Sequence, residues 1–188
     1  IRDPEVVAHE VRQLVQRATG AKLNAAERQR LIGGLLETLP RLSLARALPL
    51  MDSLVAAVDT LPGEVQARLL GDALALAALF GRADRATTFA GRLRTVLAGL
   101  PPDSPAWSAG ILEASLRGLR RVGLTREAGD LVEATRGLLT RPKTPVAARL
   151  GVASGMAFVG RVQEALPVFD AAFEALDALK GTLPERLA

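Results

Sequence analysis

The chain has 188 residues, a formal net charge of +4, 49% apolar residues but only 3% aromatic ones, and no cysteine. Disulfides, thiolate catalysis and cysteine metal sites are therefore excluded, and a core of Leu, Ala and Val suits close helix packing better than a sheet. No sustained alternation of β-branched or aromatic residues occurs, so the expected fold is all-α.

In chain order, Asp3-Pro4-Glu5 opens the first helix as cap and first turn, with Val7, Val11, Leu14, Val15 and Ala18 as its apolar stripe and Gly20 as its stop. This helix, over residues 1–20, is either the second half of a truncated unit or an N-terminal cap. Asn24 starts the next helix, and Glu27 is placed to complete a capping box. That helix runs to Pro40, and its partner runs from about Ser43 to Asp59. Helices over about Glu64–Phe80 and Ala83–Ala98 form the next pair. A third starts at Ser104-Pro105, reaches Arg121, resumes at Thr125 and ends near Leu139. The fourth spans Thr144-Pro145 to Val159 and then about Val162 to Leu179. Five of these starts carry a capping residue. Leu61-Pro62, Leu100-Pro101 and Arg141-Pro142 are breaks, since proline cannot continue a helix. Pro49 and Pro167 occupy equivalent places in two second helices, where a late start or a slight bend is expected. Trp107 falls early in the third pair's first helix, half-buried under the preceding loop.

The pairs are copies of one theme. Ala47, Ala86, Ala128 and Ala165 lie 39, 42 and 37 residues apart, and Gly81, Gly123 and Gly160 stand five places before the last three. Leu42 takes that place in the first copy. Ala47-Leu-Pro-Leu-Met-Asp52 closely matches Ala165-Leu-Pro-Val-Phe-Asp170. After each alanine, apolar residues recur in steps of three and four, the mark of an amphipathic helix. Each glycine sits where a reversing chain wants positive φ, and each alanine lets two backbones approach.

The order Gly160, Ala165, Phe169, Ala172 resembles the second half of a tetratricopeptide repeat. The Ala-Leu-Pro-Leu and Ala-Leu-Pro-Val runs resemble the longer variety found in kinesin-light-chain-like proteins. The middle copies depart, with Ala90 and Val132 where Phe169 stands. The resemblance implies one domain over 1–188, an α-solenoid of about four antiparallel helix pairs (24–60, 64–100, 104–140 and 144–180) behind the extra helix, about nine helices in all. It also implies a peptide-binding groove lined by the first helix of each pair.

Counting back ten, six, three and two places from each turn marks the groove. In the first pair this gives Ile32, Leu36, Leu39 and Pro40. In the second it gives Gly71, Ala75, Ala78 and Leu79, and Arg68 joins them one turn earlier. The third yields Glu113, Arg117, Arg120 and Arg121, and the fourth Leu150, Ser154, Ala157 and Phe158. The expected groove is greasy with one basic section, suited to an amphipathic helix or extended segment carrying acidic residues. The competing reading makes these arginines the wet side of an amphipathic helix.

Catalytic patterns are lacking. His9, the only histidine, lies on a polar helix face with no partner nearby in sequence. Ser154 in Gly151-Val-Ala-Ser-Gly155 has the wrong spacing for a nucleophile elbow and reads as a small contact residue. No phosphate loop or dinucleotide fingerprint occurs. Glu127/Asp130 and Asp170/Glu174 read as solvated helix faces. The expectation is a non-catalytic scaffold that binds another protein or peptide, without cofactor or metal. The rival readings are a sensor segment of a larger signalling protein and an anion- or nucleic-acid-binding module using the arginines. Nucleic acid is disfavoured by the scarcity of aromatics for base stacking. Arginine greatly outnumbers lysine, as a GC-rich bacterial genome would write it. The longest apolar run, Ala73–Phe80, falls far short of the roughly 20 residues a spanning helix needs. Together with the missing disulfides this leans towards a cytoplasmic location. Ile1 and Ala188 look like cuts in a longer chain, whose exposed ends neighbouring domains or self-association would cover.

Overall fold

The computed structural model describes residues 4–20, 22–108, 110–141 and 144–180; among them the chain is all-α, with nine helices and no strand. They are α1 (Pro4–Thr19), α2 (Ala25–Thr38), α3 (Leu44–Val58), α4 (Gly63–Leu79), α5 (Ala83–Gly99), α6 (Ile111–Arg121), α7 (Thr125–Arg136), α8 (Val146–Phe158) and α9 (Val162–Lys180). The expected cap at Asp3 and the break at Pro142 fall outside the described residues, as does the side chain of Val7.

Three hairpins turn through the glycines that the repeat singles out. Gly81, Gly123 and Gly160 have φ of 67°, 77° and 88°, the left-handed region that glycine enters without a Cβ penalty. In each turn the following amide donates back across the helix end. Arg82 N reaches the Ala77 carbonyl at 2.8 Å, Leu124 N that of Leu119 at 2.9 Å, and Arg161 N that of Met156 at 2.8 Å. Each glycine amide also bonds the carbonyl three places back, which completes a Schellman cap. The chain passes straight into α5, α7 or α9, and Ala86, Ala128 and Ala165 are buried just inside them.

The first hairpin is different. Leu42 has φ of −94°, and a 3-10 turn over Leu39–Arg41, containing Pro40, replaces the glycine turn. The third pair also departs from expectation. Pro105–Ser108 forms a separate 3-10 turn, and α6 starts only after Gly110, whose φ is 67°. Ser104 is buried, its hydroxyl bonded to Glu64 of α4, and Trp107 sits in the turn itself, half-buried, with its indole N–H on the Pro101 carbonyl at 2.8 Å. Side-chain caps are fewer than expected. From α2 to α8, only Asn24 makes one, in a full capping box with Glu27. Pro49 and Pro167 lie inside α3 and α9, so neither delays its helix.

Helices pack on their immediate neighbours and on the next but one. The even helices form one series of contacts, α2 on α4, α4 on α6 and α6 on α8. Among the odd helices, α1 packs on α3 and α5 on α7, so the first helix joins the second-helix series. Glycines mark the even seams. A Cβ on Gly71 would stand 2.9 Å from the Ile111 side chain of α6. On Gly118 it would stand 3.0 Å from Leu74 and 3.5 Å from the Ala75 backbone of α4. Gly155 lies as close to Leu112 and Leu116.

Gly118→Val should therefore cost about 1–3 kcal/mol through overpacking. Gly129→Ala, where a Cβ on α7 meets nothing within 4 Å, should add about 0.5–1 kcal/mol. Urea denaturation of both variants decides it; a Gly118→Val protein as stable as the parent would refute the close-seam reading.

Candidate functional site

Of the seventeen residues expected along the groove, twelve reach the surface at least in part. Gly71 and Ala78 are buried where α4 meets α6, and Ile32, Leu36 and Leu39 of the first pair belong to the core. The count-back presumed a glycine turn after α2. The 3-10 turn at Leu39–Arg41 displaces the register, so the open face of α2 is one residue away, at Gly33 and Glu37.

That face of α2 and the middle of α4 enclose a cleft of about 310 Å³, lined by Gln29, Arg30, Gly33, Glu37, Arg68 and Asp72, among others. Partial burial raises the Asp72 carboxyl above its ordinary value of 3.8; the Arg68 charge works against this and Glu37 reinforces it. Periodicity could have found Asp72, one turn after Arg68, but the cleft itself depends on how α2 and α4 meet.

Further along, Ala75 is half-buried in the α4–α6 seam, and Leu79 is 48% exposed at the end of α4. On α6, Arg117 pairs with Glu113 one turn earlier, at 3.1 Å. The Arg120 guanidinium lies 5.4 Å from the centre of the Phe158 ring on α8, a cation–π contact across the α6–α8 boundary. Arg121 is exposed and forms no ion pair among the described residues. On α8, Leu150 is half-buried and Ser154 exposed. Ser154 is thus not the helix-contact residue; Ala153 and Gly155 are buried instead.

The odd helices carry a feature that local charge spacing did not reveal. Arg85 of α5 forks onto Asp52 of α3 at 2.8 and 2.9 Å, and Arg92 pairs with Asp59 and with the Val55 carbonyl. Arg94 reaches Asp130 of α7 at 3.7 Å. Arg161 bridges Glu133 of α7 and Glu164 of α9, and Arg136 also reaches Glu164. Asp130, read from spacing as a solvated carboxylate, is therefore a rung between helices. Exposed pairs of this kind contribute little stability each, so their main effect is to favour one register.

The Arg161 hydrogen bonds hold the Glu133 and Glu164 carboxyls below 4.5, and the Arg82 hydrogen bond lowers that of Asp84 to about 2. His9 is exposed and hydrogen-bonded to Gln13. Among the described residues no group of three or more His, Asp or Glu is placed to hold a metal ion, and no helix is long and apolar enough to cross a membrane.

Helical hairpins, with ion pairs between α3, α5, α7 and α9 and close apolar seams between α4, α6 and α8, make this an all-α protein among the described residues. The chain belongs to the family described as a domain of unknown function (DUF8586), which it matches over residues 1–188. No curated protein and no solved structure matches it.

A carboxyl whose pKa falls on folding contributes stability above its unfolded value, and that contribution is lost as pH drops through the folded value. For Glu133 and Glu164 the loss lies below about 4.5, and for Asp84 it extends down to about 2, while Asp72, shifted the other way, opposes it. Glu133→Gln with Glu164→Gln should flatten the fall of Tm on acidification from pH 5; an unchanged slope would count against the ladder. A double-mutant cycle on Arg120→Ala and Phe158→Ala should give a coupling of about 0.5–1 kcal/mol, and zero coupling would remove the cation–π contact.

Proposed function

We propose that this domain is a non-catalytic interaction module, a tetratricopeptide-like solenoid whose even-helix face receives an acidic helical or extended segment of another protein. One observation carries the reading. Arg117, Arg120 and Arg121 project together from α6, and only Arg117 has a carboxylate partner. The charges of Arg120 and Arg121 stay available, whereas Arg85 and Arg92 of α5 and Arg161 just before α9 are paired with neighbouring carboxylates.

The immediate surroundings suit a peptide. Leu79, two places before Gly81, and Phe158, two places before Gly160, occupy the repeat position that Arg121 holds before Gly123. An acidic side chain facing Arg120 and Arg121 would thus have apolar neighbours on the flanking helices. Guanidinium groups favour carboxylates because their planar donors bind them in pairs. The Arg120 stack on Phe158 limits that side chain's freedom before any ligand arrives, which lowers the ordering cost of binding.

The test is selection from a displayed library of random peptides. Selected sequences should be enriched in Asp and Glu beside apolar residues. Replacing Arg117, Arg120 and Arg121 together by Ala should weaken a selected peptide about tenfold or more, equal to about 1.4 kcal/mol. Unchanged affinity with intact helicity would reduce the cluster to surface charge. Preferential binding of a random single-stranded oligonucleotide, with a steep salt slope, would favour the nucleic-acid reading instead.

A further inference from the structure

Large apolar side chains are seldom exposed here without company. Seven are exposed among the described residues, and five of them lie on the first and last helices: Val6 and Leu14 on α1, Val162, Leu166 and Phe173 on α9. On α9 they belong to a continuous line. Val162, Leu166, Phe169, Phe173 and Leu176 follow one another in steps of four and three, the spacing of a helix seam. Phe173 is 56% exposed, and its ring stacks on Phe169 with centroids 6.5 Å apart, which holds it outward in one place.

The line occupies the flank that earlier odd helices use to meet the next part of the chain. Glu164, paired with Arg136 of α7, lies on the opposite flank of α9. Counted from the repeat alanines, Leu166, Phe169 and Phe173 correspond to Leu48, Met51 and Val55 of α3, all of them buried. In α5 the same places are Thr87, Ala90 and Arg94, which face Arg126 and Asp130 of α7 across a shared cleft.

The opposite end of the molecule offers a matching surface. Leu14 of α1, Leu23 of the loop and Leu31 of α2 line an open cleft of about 380 Å³, with Arg17, Glu27 and Arg30 at its edges. Glu27 is engaged in the Asn24 capping box, whereas Arg17 and Arg30 have no carboxylate partner among the described residues. The α9 stripe is bordered by the exposed carboxylates of Asp170 and Glu174. Its residues span about 21 Å along the helix, comparable to the roughly 24 Å of α1. Pairing of α9 with another α9 would set these carboxylates against each other.

We propose that copies of this chain associate head to tail, the α9 stripe of one copy seating on the α1–α2 cleft of the next. Phe173 enters between Leu14, Leu23 and Leu31, while Asp170 and Glu174 face Arg17 and Arg30. Such a contact is heterologous, so each added copy presents a fresh α9 and the assembly stays open. It uses neither α6 nor α8 and stands independently of the peptide reading.

Sedimentation velocity from micromolar to submillimolar protein tests this, with circular dichroism as a control for folding. The average mass should climb past that of a dimer with concentration and fall at high salt. Phe173→Glu and Leu14→Glu should each be monomeric alone, yet an equimolar mixture should form a 1:1 dimer and stop there, because each variant keeps one working end. Arg17→Glu with Arg30→Glu should weaken association about tenfold or more, and Asp170→Arg with Glu174→Arg in the mixing partner should restore it. A parent protein that stays monomeric throughout overturns the proposal. So does a mixture that stays monomeric, or a Leu14→Glu variant that associates as the parent does.

Discussion

The close approach of α4 and α6 is the constraint on which the rest of the molecule depends. Gly71 faces Ile111, and Gly118 faces Leu74 and the backbone at Ala75, so the two helices meet with little side-chain thickness between them. Interiors packed at crystal-like density leave no slack for an extra methyl group at such a seam. With α4 and α6 held this near, the inward residues of both are committed to each other. What remains of α6 for the surface is a strip carrying Glu113, Arg117, Arg120 and Arg121. The same arrangement repeats one step along, where Gly155 of α8 lies against Leu112 and Leu116 of α6.

The two sides of the molecule therefore use charge differently. Between α3, α5, α7 and α9, arginines and carboxylates meet across each boundary, from Asp52–Arg85 to Glu164–Arg136. Such pairs oppose sliding of one hairpin along the next at small net cost in water. Between α4, α6 and α8 the contacts are apolar and close, and Arg120 and Arg121 of α6 are left beside Phe158 and in solvent.

The repeat was legible because its physical demands are local. Positive φ at Gly81, Gly123 and Gly160, a buried alanine five places on and a proline stop all act within a few residues, so each leaves a fixed mark in the chain. Where a copy lacks the mark, local inference fails. Leu42 in place of glycine forces a 3-10 turn after α2, and Ile32, Leu36 and Leu39 end up in the core, while Gly71 and Ala78 are buried because α6 packs on α4 there. Gly110 likewise ends one turn and opens α6 later than the Ser104-Pro105 signal suggests, because a partly buried Ser104–Glu64 hydrogen bond claims that stretch.

Sequence alone determined the all-α class, the nine helices and the glycine turns, since helical periodicity and backbone conformation are properties of neighbouring residues. It also placed the three arginines of α6 on one face, as their spacing requires. Only the tertiary structure decided which partners those residues found. Arg120 on Phe158, Arg94 on Asp130 and the cleft of Arg68 with Asp72 join residues far apart along the chain. Those meetings depend on the angle and separation at which whole helices pack, quantities to which every seam contributes and which no short stretch encodes.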